Sequence, residues 1–423
     1  MGMNIGIKDA KRIYLDYASL TPVDRRVLAE MKKYSGGSGS TVGYANPSSI
    51  YKEGVAAKKA MEDGRTRVAG FLNAHADEII FTSGGTEANS LALEGVLRAA
   101  RRGGNARPHL VISNIEHSSI METAAEMERQ GVEVTRLAVD ASGRVSPEEL
   151  EKAIKPETLL VSLMIVNNET GSIQPIREIA KAVRHAREQI MPLAADGTRS
   201  RYPLLHTDAA QAAAYSDLNV EQLGVDLLTL DAGKAYGPRG IGALYVRRGA
   251  PIEPAIHGGG QEHGLRSGTE NVPAIMGFAK ALDIVSGDHM RFGTKNVSKC
   301  IGVGKEASRI QALKKAFFEG LKKLRPDVKL NPPGTGIESP SQAPNILNVS
   351  IPGIDNEFFV LQLDAHGIAA STKSSCLRDA EGSYVLRAIG ADSGTSVRFS
   401  FGRWTKRRDV AKTLRVIAKI LSF

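Results

Sequence analysis

Seven short apolar runs rich in β-branched residues, separated by stretches of helical periodicity, limit what this chain can fold into more than any other feature. They cover residues 78–82, 109–113, 133–139, 159–166, 204–207, 226–230 and 242–246. Such alternation builds βαβ units, so the expected fold class is α/β: a mostly parallel seven-stranded sheet with helices on both faces and ligands gathered at the carboxyl ends of the strands. The chemistry is therefore expected just after those runs. Beyond residue 272 the pattern changes to long helices over 272–285 and 307–324, short strands near 345–350 and 397–400, and a last helix around 406–421. That reads as a smaller α+β domain. At 423 residues the chain is longer than one core usually serves, so two domains are expected. Residues 193–202 and 286–305 have weak periodicity and read as surface insertions.

Composition narrows the function classes. With 42% hydrophobic and 24% charged residues the chain is an ordinary globular protein. Its net charge of +9 fits a basic surface. It lacks a long run of like charges, a zinc-spaced Cys/His set and an RNA-binding aromatic motif, so neither direct nucleic-acid binding nor a metal site is expected. Cys300 and Cys376 are the only cysteines, which excludes a disulfide framework and favours a reduced, cytoplasmic setting. No apolar run approaches the roughly 18 residues of a membrane span, and the first residues carry no secretory apolar core.

Three motifs sit where ligands should gather. TSGGTEAN, Thr82 to Asn89, places Gly84, Gly85 and Thr86 between a strand and a helix. Close backbone approach, a hydroxyl and free helix amides make an anion cradle there, although an ordinary tight turn has the same pattern. HTDAAQA puts Asp208 at the end of a buried-looking strand, with Gln211 three residues later. A carboxylate so placed needs a partner, either a structural cation or a protonated ring nitrogen. LLTLDAGKAYGPRG then sets Lys234 after an apolar strand. Partial desolvation there would lower the amine's pKa and free it to condense with a carbonyl. Phosphate cradle, strand-end Asp and strand-end Lys follow one another in the order a pyridoxal 5′-phosphate (PLP) site needs.

Over nearly its whole length the sequence also resembles the cysteine desulfurases, class-V, fold-type I PLP enzymes. The resemblance rests on IYLDYASLTPVD, NPSS, TSGGTEAN, EHSSI, VNNETGSIQPI, HTDAAQA, GKAYGPRGIGALYV, GGGQEHGLRSGTEN, SYVLRAIG and VRFSFGRWT. It implies that Lys234 carries the cofactor, Asp208 faces the pyridine nitrogen and Gln211 donates to the ring oxygen. His117 would stack on the ring and assist proton transfer, Asn168 hold the ring oxygen or the substrate, and Gly85 and Thr86 bind the phosphate. It further implies that Thr269 reaches the phosphate of a neighbouring subunit's cofactor in a homodimer, and that Arg398 binds the carboxylate of L-cysteine. Cys376 would be the nucleophile, on a mobile loop where Lys373 and Arg378 favour its thiolate. The sulfur it receives would pass to an acceptor protein: an iron–sulfur scaffold, a small sulfur carrier or a tRNA-thiolation enzyme. The implied architecture is a large cofactor-binding domain over 21–271 and a small α+β domain from 1–20 and 272–423. Cys300 has no counterpart in the family.

The sequence departs from the family just before the lysine. Relatives often carry a Ser and a His there, whereas this chain has Asp231 and Gly233 around Ala232. An aspartate about 4 Å from the cofactor phosphate would cost roughly 4 kcal/mol at an effective dielectric near 20. Either Asp231 turns away to cap backbone amides or the phosphate is seated differently. Gly233 removes an imidazole that would shuttle protons. The alternatives are another class-V PLP reaction, by a selenocysteine lyase or aminotransferase, or a non-catalytic homologue.

Overall fold

A computed structural model describes residues 12–36, 44–103, 107–190, 201–287, 304–372 and 382–422. In chain order, β1 (Ile13–Tyr14), α1 (Arg25–Lys32) and α2 (Lys52–Leu72) lead into the alternating region. There β2 (Ile79–Thr82), α3 (Gly85–Arg102), β3 (His109–Ser113), α4 (Ser118–Arg129), β4 (Glu133–Leu137), α5 (Pro147–Ala153), β5 (Thr158–Ser162), α6 (Ile176–Ile190), β6 (Leu204–Asp208), α7 (Val220–Leu223), β7 (Leu227–Asp231) and β8 (Gly242–Val246) follow one another. The remainder holds α8 (Val272–Ser286), α9 (Lys305–Leu324), β9 (Lys329–Asn331), β10 (Ile346–Ser350), α10 (Asn356–Ala365), β11 (Ile368–Ala369), α11 (Tyr384–Ala388), β12 (Ser396–Ser400) and α12 (Arg407–Ile420).

The seven apolar runs form one seven-stranded sheet in the order β2-β8-β7-β6-β5-β3-β4. Every pair is parallel except those made by β8, which runs against both β2 and β7. Side chains alternate across it: Ile79, Phe81 and Val111 enter one core, while Ile80, Leu110 and Ile112 enter the core on the opposite face. Burial on both faces explains why these strands read as continuous apolar runs. The fourth run was expected to continue to residue 166, but β5 ends at Ser162. Leu163 and Ile165 still bond β6 through His206 and Asp208, while pairing with β3 stops at Ser162, so the run reports burial beyond the ladder.

A third core lies between α9, α12 and the antiparallel sheet β12-β10-β9. Strand β12 joins distant parts of the chain. Arg398 pairs with Asn348 of β10 on one side and with Ser371 on the other, and Ser400 bridges to Asp16 beside β1. The chain's first described strand and its last thereby meet at the carboxyl ends of β6 and β7.

Candidate active site

The first element of the site is a turn. β2 ends at Thr82 and α3 begins at Gly85, with Gly84 between them at φ +155°. Gly242 of β8 passes so close that a Cβ on it would lie 2.7 Å from both the Gly84 carbonyl carbon and the Leu230 oxygen. Glycine at both positions lets the strand and the turn approach. The helix amides that open here have no partners within α3, which gives this end of the cavity its affinity for negative charge.

Asp208 is the last residue of β6 and is buried. Its Oδ2 accepts from Asn89 Nδ2 at 2.8 Å and its Oδ1 from the Ala210 amide at 2.9 Å. Asn89 Nδ2 also donates to Ser119 Oγ at 2.9 Å, and that hydroxyl meets His117 Nδ1 at 2.9 Å. His117 caps α4, accepting from the Ser119 amide at 3.2 Å, so the start of that helix fixes its ring. Asp208 and His117 thus hold each other's orientation through Asn89 and Ser119. Beside them, burial and then the charge of Asp208 push the Glu116 carboxyl up to about 8, although Ser113 Oγ and the Met164 amide donate to it.

Lys234 enters from the tight turn after β7. Its Nζ donates to the carbonyl oxygens of Ser19 and Ala18 at 2.6 and 3.1 Å, and Gln211 Nε2 donates to the same Ala18 oxygen at 2.8 Å. Arg398 lines the same cavity at only 1% exposure. Its guanidinium donates to the Asn168 carbonyl at 2.7 Å, to Asp16 Oδ1 at 2.9 Å and to Ser19 Oγ at 2.6 Å, while its buried Nε has no partner.

One cavity collects Gly85, Thr86, His117, Asn168, Asp208, Gln211, Lys234 and Arg398, all expected from the sequence, together with Asp231. Thr269 is exposed and does not line this cavity. Cys376 and Cys300 lie outside the described residues. Asp231 does not turn away from the cradle: its Oδ2 accepts from the Gly85 amide at 3.0 Å and its Oδ1 from the Gly233 amide at 2.7 Å. Asn89, Ser119, Asp16 and Ser19 were not singled out from the sequence. Asn89 was legible in principle, since it stands four residues after Gly85 on the same helix face.

The cavity measures about 190 Å³, more than the roughly 150 Å³ that accommodates a benzene-sized ring. A carboxylate at its floor, an amine at its side, an unpaired buried Asn89 Oδ1 and a glycine cradle for an anion fit PLP, with Asp231 the one feature set against it.

The class-V aminotransferase model matches residues 13–413. The chain belongs to that family. Among the proteins it is similar to is the cysteine desulfurase IscS of Dictyoglomus turgidum, 37% identical over 97% of this chain and 95% of the relative. Among solved structures, a NifS-like protein superposes with a TM-score of 0.81 at 33% identity, covering 97% of this chain and all of that one. SspA, solved in complex with cysteine, superposes with a TM-score of 0.72 at 31% identity over 92% of this chain and 98% of its own.

Proposed function

We propose that the chain is a PLP-dependent cysteine desulfurase, converting L-cysteine to L-alanine and taking the sulfur onto Cys376 as a persulfide. The observation that carries this reading is Lys234, Asp208 and Arg398 lining one cavity of ring size in a chain similar over 97% of its length to a cysteine desulfurase. Gly85 and Thr86 would hold the cofactor's phosphate, Asp208 its ring nitrogen, Gln211 and Asn168 its ring oxygen, His117 its ring face and Lys234 its carbonyl carbon. Bound PLP supplies an electron sink for charge that develops at the substrate Cα.

The chain's own residues do the rest. Arg398 binds the substrate carboxylate with the planar fork that suits it, and Asp16 and Ser19 hold that fork in place. Lys234 Nζ takes the proton from the substrate Cα and returns it in later steps, and His117 assists. The Cys376 thiolate attacks the substrate sulfur. An S–S bond forms, the C–S bond breaks with its electron pair left on carbon, and the hydrogen first carried by that sulfur is matched by one in the alanine methyl.

Both described ends of the segment bearing Cys376 support its access. Ser371 pairs with the Arg398 backbone, while Ser383 Oγ donates to Glu169 beside Asn168 at 2.6 Å. Cys376 stands five residues after Ser371, and an extended chain of that length reaches at most about 17 Å, enough for its thiol to be brought to the cavity. We read residues 21–271 as the cofactor-binding domain, with 1–20 and 272–423 as the small domain. We also read the enzyme as a cytoplasmic homodimer in which the exposed Thr269 serves the neighbouring subunit's phosphate, and which passes sulfur to an acceptor protein. Among the described residues no helix is long and apolar enough to cross a membrane.

The test mixes purified protein with PLP and L-cysteine. The wild type turns yellow and releases alanine, and Lys234→Ala does neither. Undiminished alanine release from Cys376→Ala would favour a class-V reaction that needs no protein thiol.

A further inference from the structure

The two residues that set this chain apart just before the lysine form one structural unit, and it sits on the anion cradle. Gly85 opens a helix of 18 residues, so its amide is one of those that an incoming phosphate would use. That amide already donates to Asp231 Oδ2 at 3.0 Å, and a Cβ at Gly85 would lie only 3.3 Å from the same oxygen. The other carboxylate oxygen is fixed by the Gly233 amide at 2.7 Å. Gly233 is what leaves room for this arrangement. A Cβ there would stand 3.1 Å from Asp231 Oδ1 and 3.0 Å from Leu20 Cδ1, so a larger side chain would crowd the carboxylate from behind.

A phosphate monoester carries about −1.5 to −2 charge at neutral pH and competes for the same donors. Helix amides favour one anion at this point, and two anions within contact of each other repel. We propose that Asp231 is an internal anion that fills the phosphate seat of the cofactor-free chain and must release the Gly85 amide when PLP enters, so the chain holds PLP less tightly than its cradle would otherwise allow. The inference rests on reading Gly85 and Thr86 as the phosphate site. Its consequence is weak discrimination between PLP and pyridoxal, which presents the same aldehyde to Lys234 but has no phosphate to seat.

The experiment is equilibrium dialysis of the cofactor-free full chain against PLP and, separately, against pyridoxal. It compares wild type with Asp231→Ser and with the nearly isosteric Asp231→Asn, which keeps an acceptor for the Gly233 amide. Both variants should bind PLP at least tenfold more tightly than wild type, with pyridoxal affinity changed less than twofold. Inorganic phosphate should raise their melting temperature more than that of wild type. Should the Ser variant not fold, the Asn variant decides. Unchanged or weaker PLP binding in a folded variant would overturn the inference while leaving Lys234 as the cofactor's anchor, because the yellow colour would still form. If neither aldehyde colours any version of the chain, the cofactor site itself is misassigned and the inference falls with it.

Discussion

Arg398 shows what a single residue must satisfy here. It is wholly buried, yet its charge is matched by Asp16, by a hydroxyl and by a carbonyl, so its desolvation is offset and its fork is fixed before substrate arrives. A lysine in its place keeps the charge and loses the fork. Arg398→Lys should therefore raise the KM for L-cysteine about tenfold or more, corresponding to roughly 1.4 kcal/mol per tenfold change. Steady-state kinetics check this, and an unchanged KM would remove Arg398 from the carboxylate site. Glu116 poses the opposite problem, a carboxyl held in a dry site with its pKa raised from 4.5 to about 8. A raised folded-state pKa means that the native chain keeps a proton which the unfolded chain releases. Its contribution to stability is complete below about 4.5 and is lost as pH rises through about 8. Glu116→Gln cannot titrate, so its urea midpoint should fall less than the wild type's between those limits. Parallel pH profiles would contradict the shift. Asp208 was readable from the sequence because it ends an apolar run. Arg398 was not readable as buried, since the aspartate that neutralises it lies 382 positions away and local pattern carries no sign of it.

At the scale of elements, what the sequence made legible was whatever burial writes into a short window. Strands His109–Ser113 and Gly242–Val246 appear with the bounds their apolar runs predict, because both faces of the sheet are covered. Contacts between elements were not legible. The link from Asp208 through Asn89 and Ser119 to His117 depends on α3 packing beside α4, and neither helix reveals it alone. The approach of β8 to the turn before α3 is of the same kind. Gly242→Ala would place a methyl 2.7–2.8 Å from backbone atoms of Gly84 and Leu230, which yield less easily than a side-chain tip. Overpacking of this kind costs about 1–3 kcal/mol. Thermal melts should show that loss, and PLP binding should weaken with it as the cradle opens. A variant as stable as wild type that binds PLP equally well would show that the turn tolerates displacement.

The whole molecule brings its chemistry together from far apart in sequence. The first described strand, the ends of β6 and β7 and the last strand meet at one cavity, and the segment carrying Cys376 is tied there at both described ends, by Ser371 to Arg398 and by Ser383 to Glu169. The βαβ rhythm announces the sheet, and family resemblance supplies the expected role of each residue. Neither discloses that Asp231 rests on the cradle's own amide, because a carboxylate's hydrogen-bond partners depend on three-dimensional approach rather than on spacing. The most direct test of the account follows the sulfur itself. The PLP-loaded chain is incubated with L-cysteine carrying isotopically labelled sulfur, digested under conditions that preserve persulfides, and its cysteine peptides are weighed. The account predicts labelled sulfur as a persulfide on the peptide containing Cys376, with alanine released in equal amount. Alanine release with label on Cys300 alone, or on neither cysteine, would contradict it.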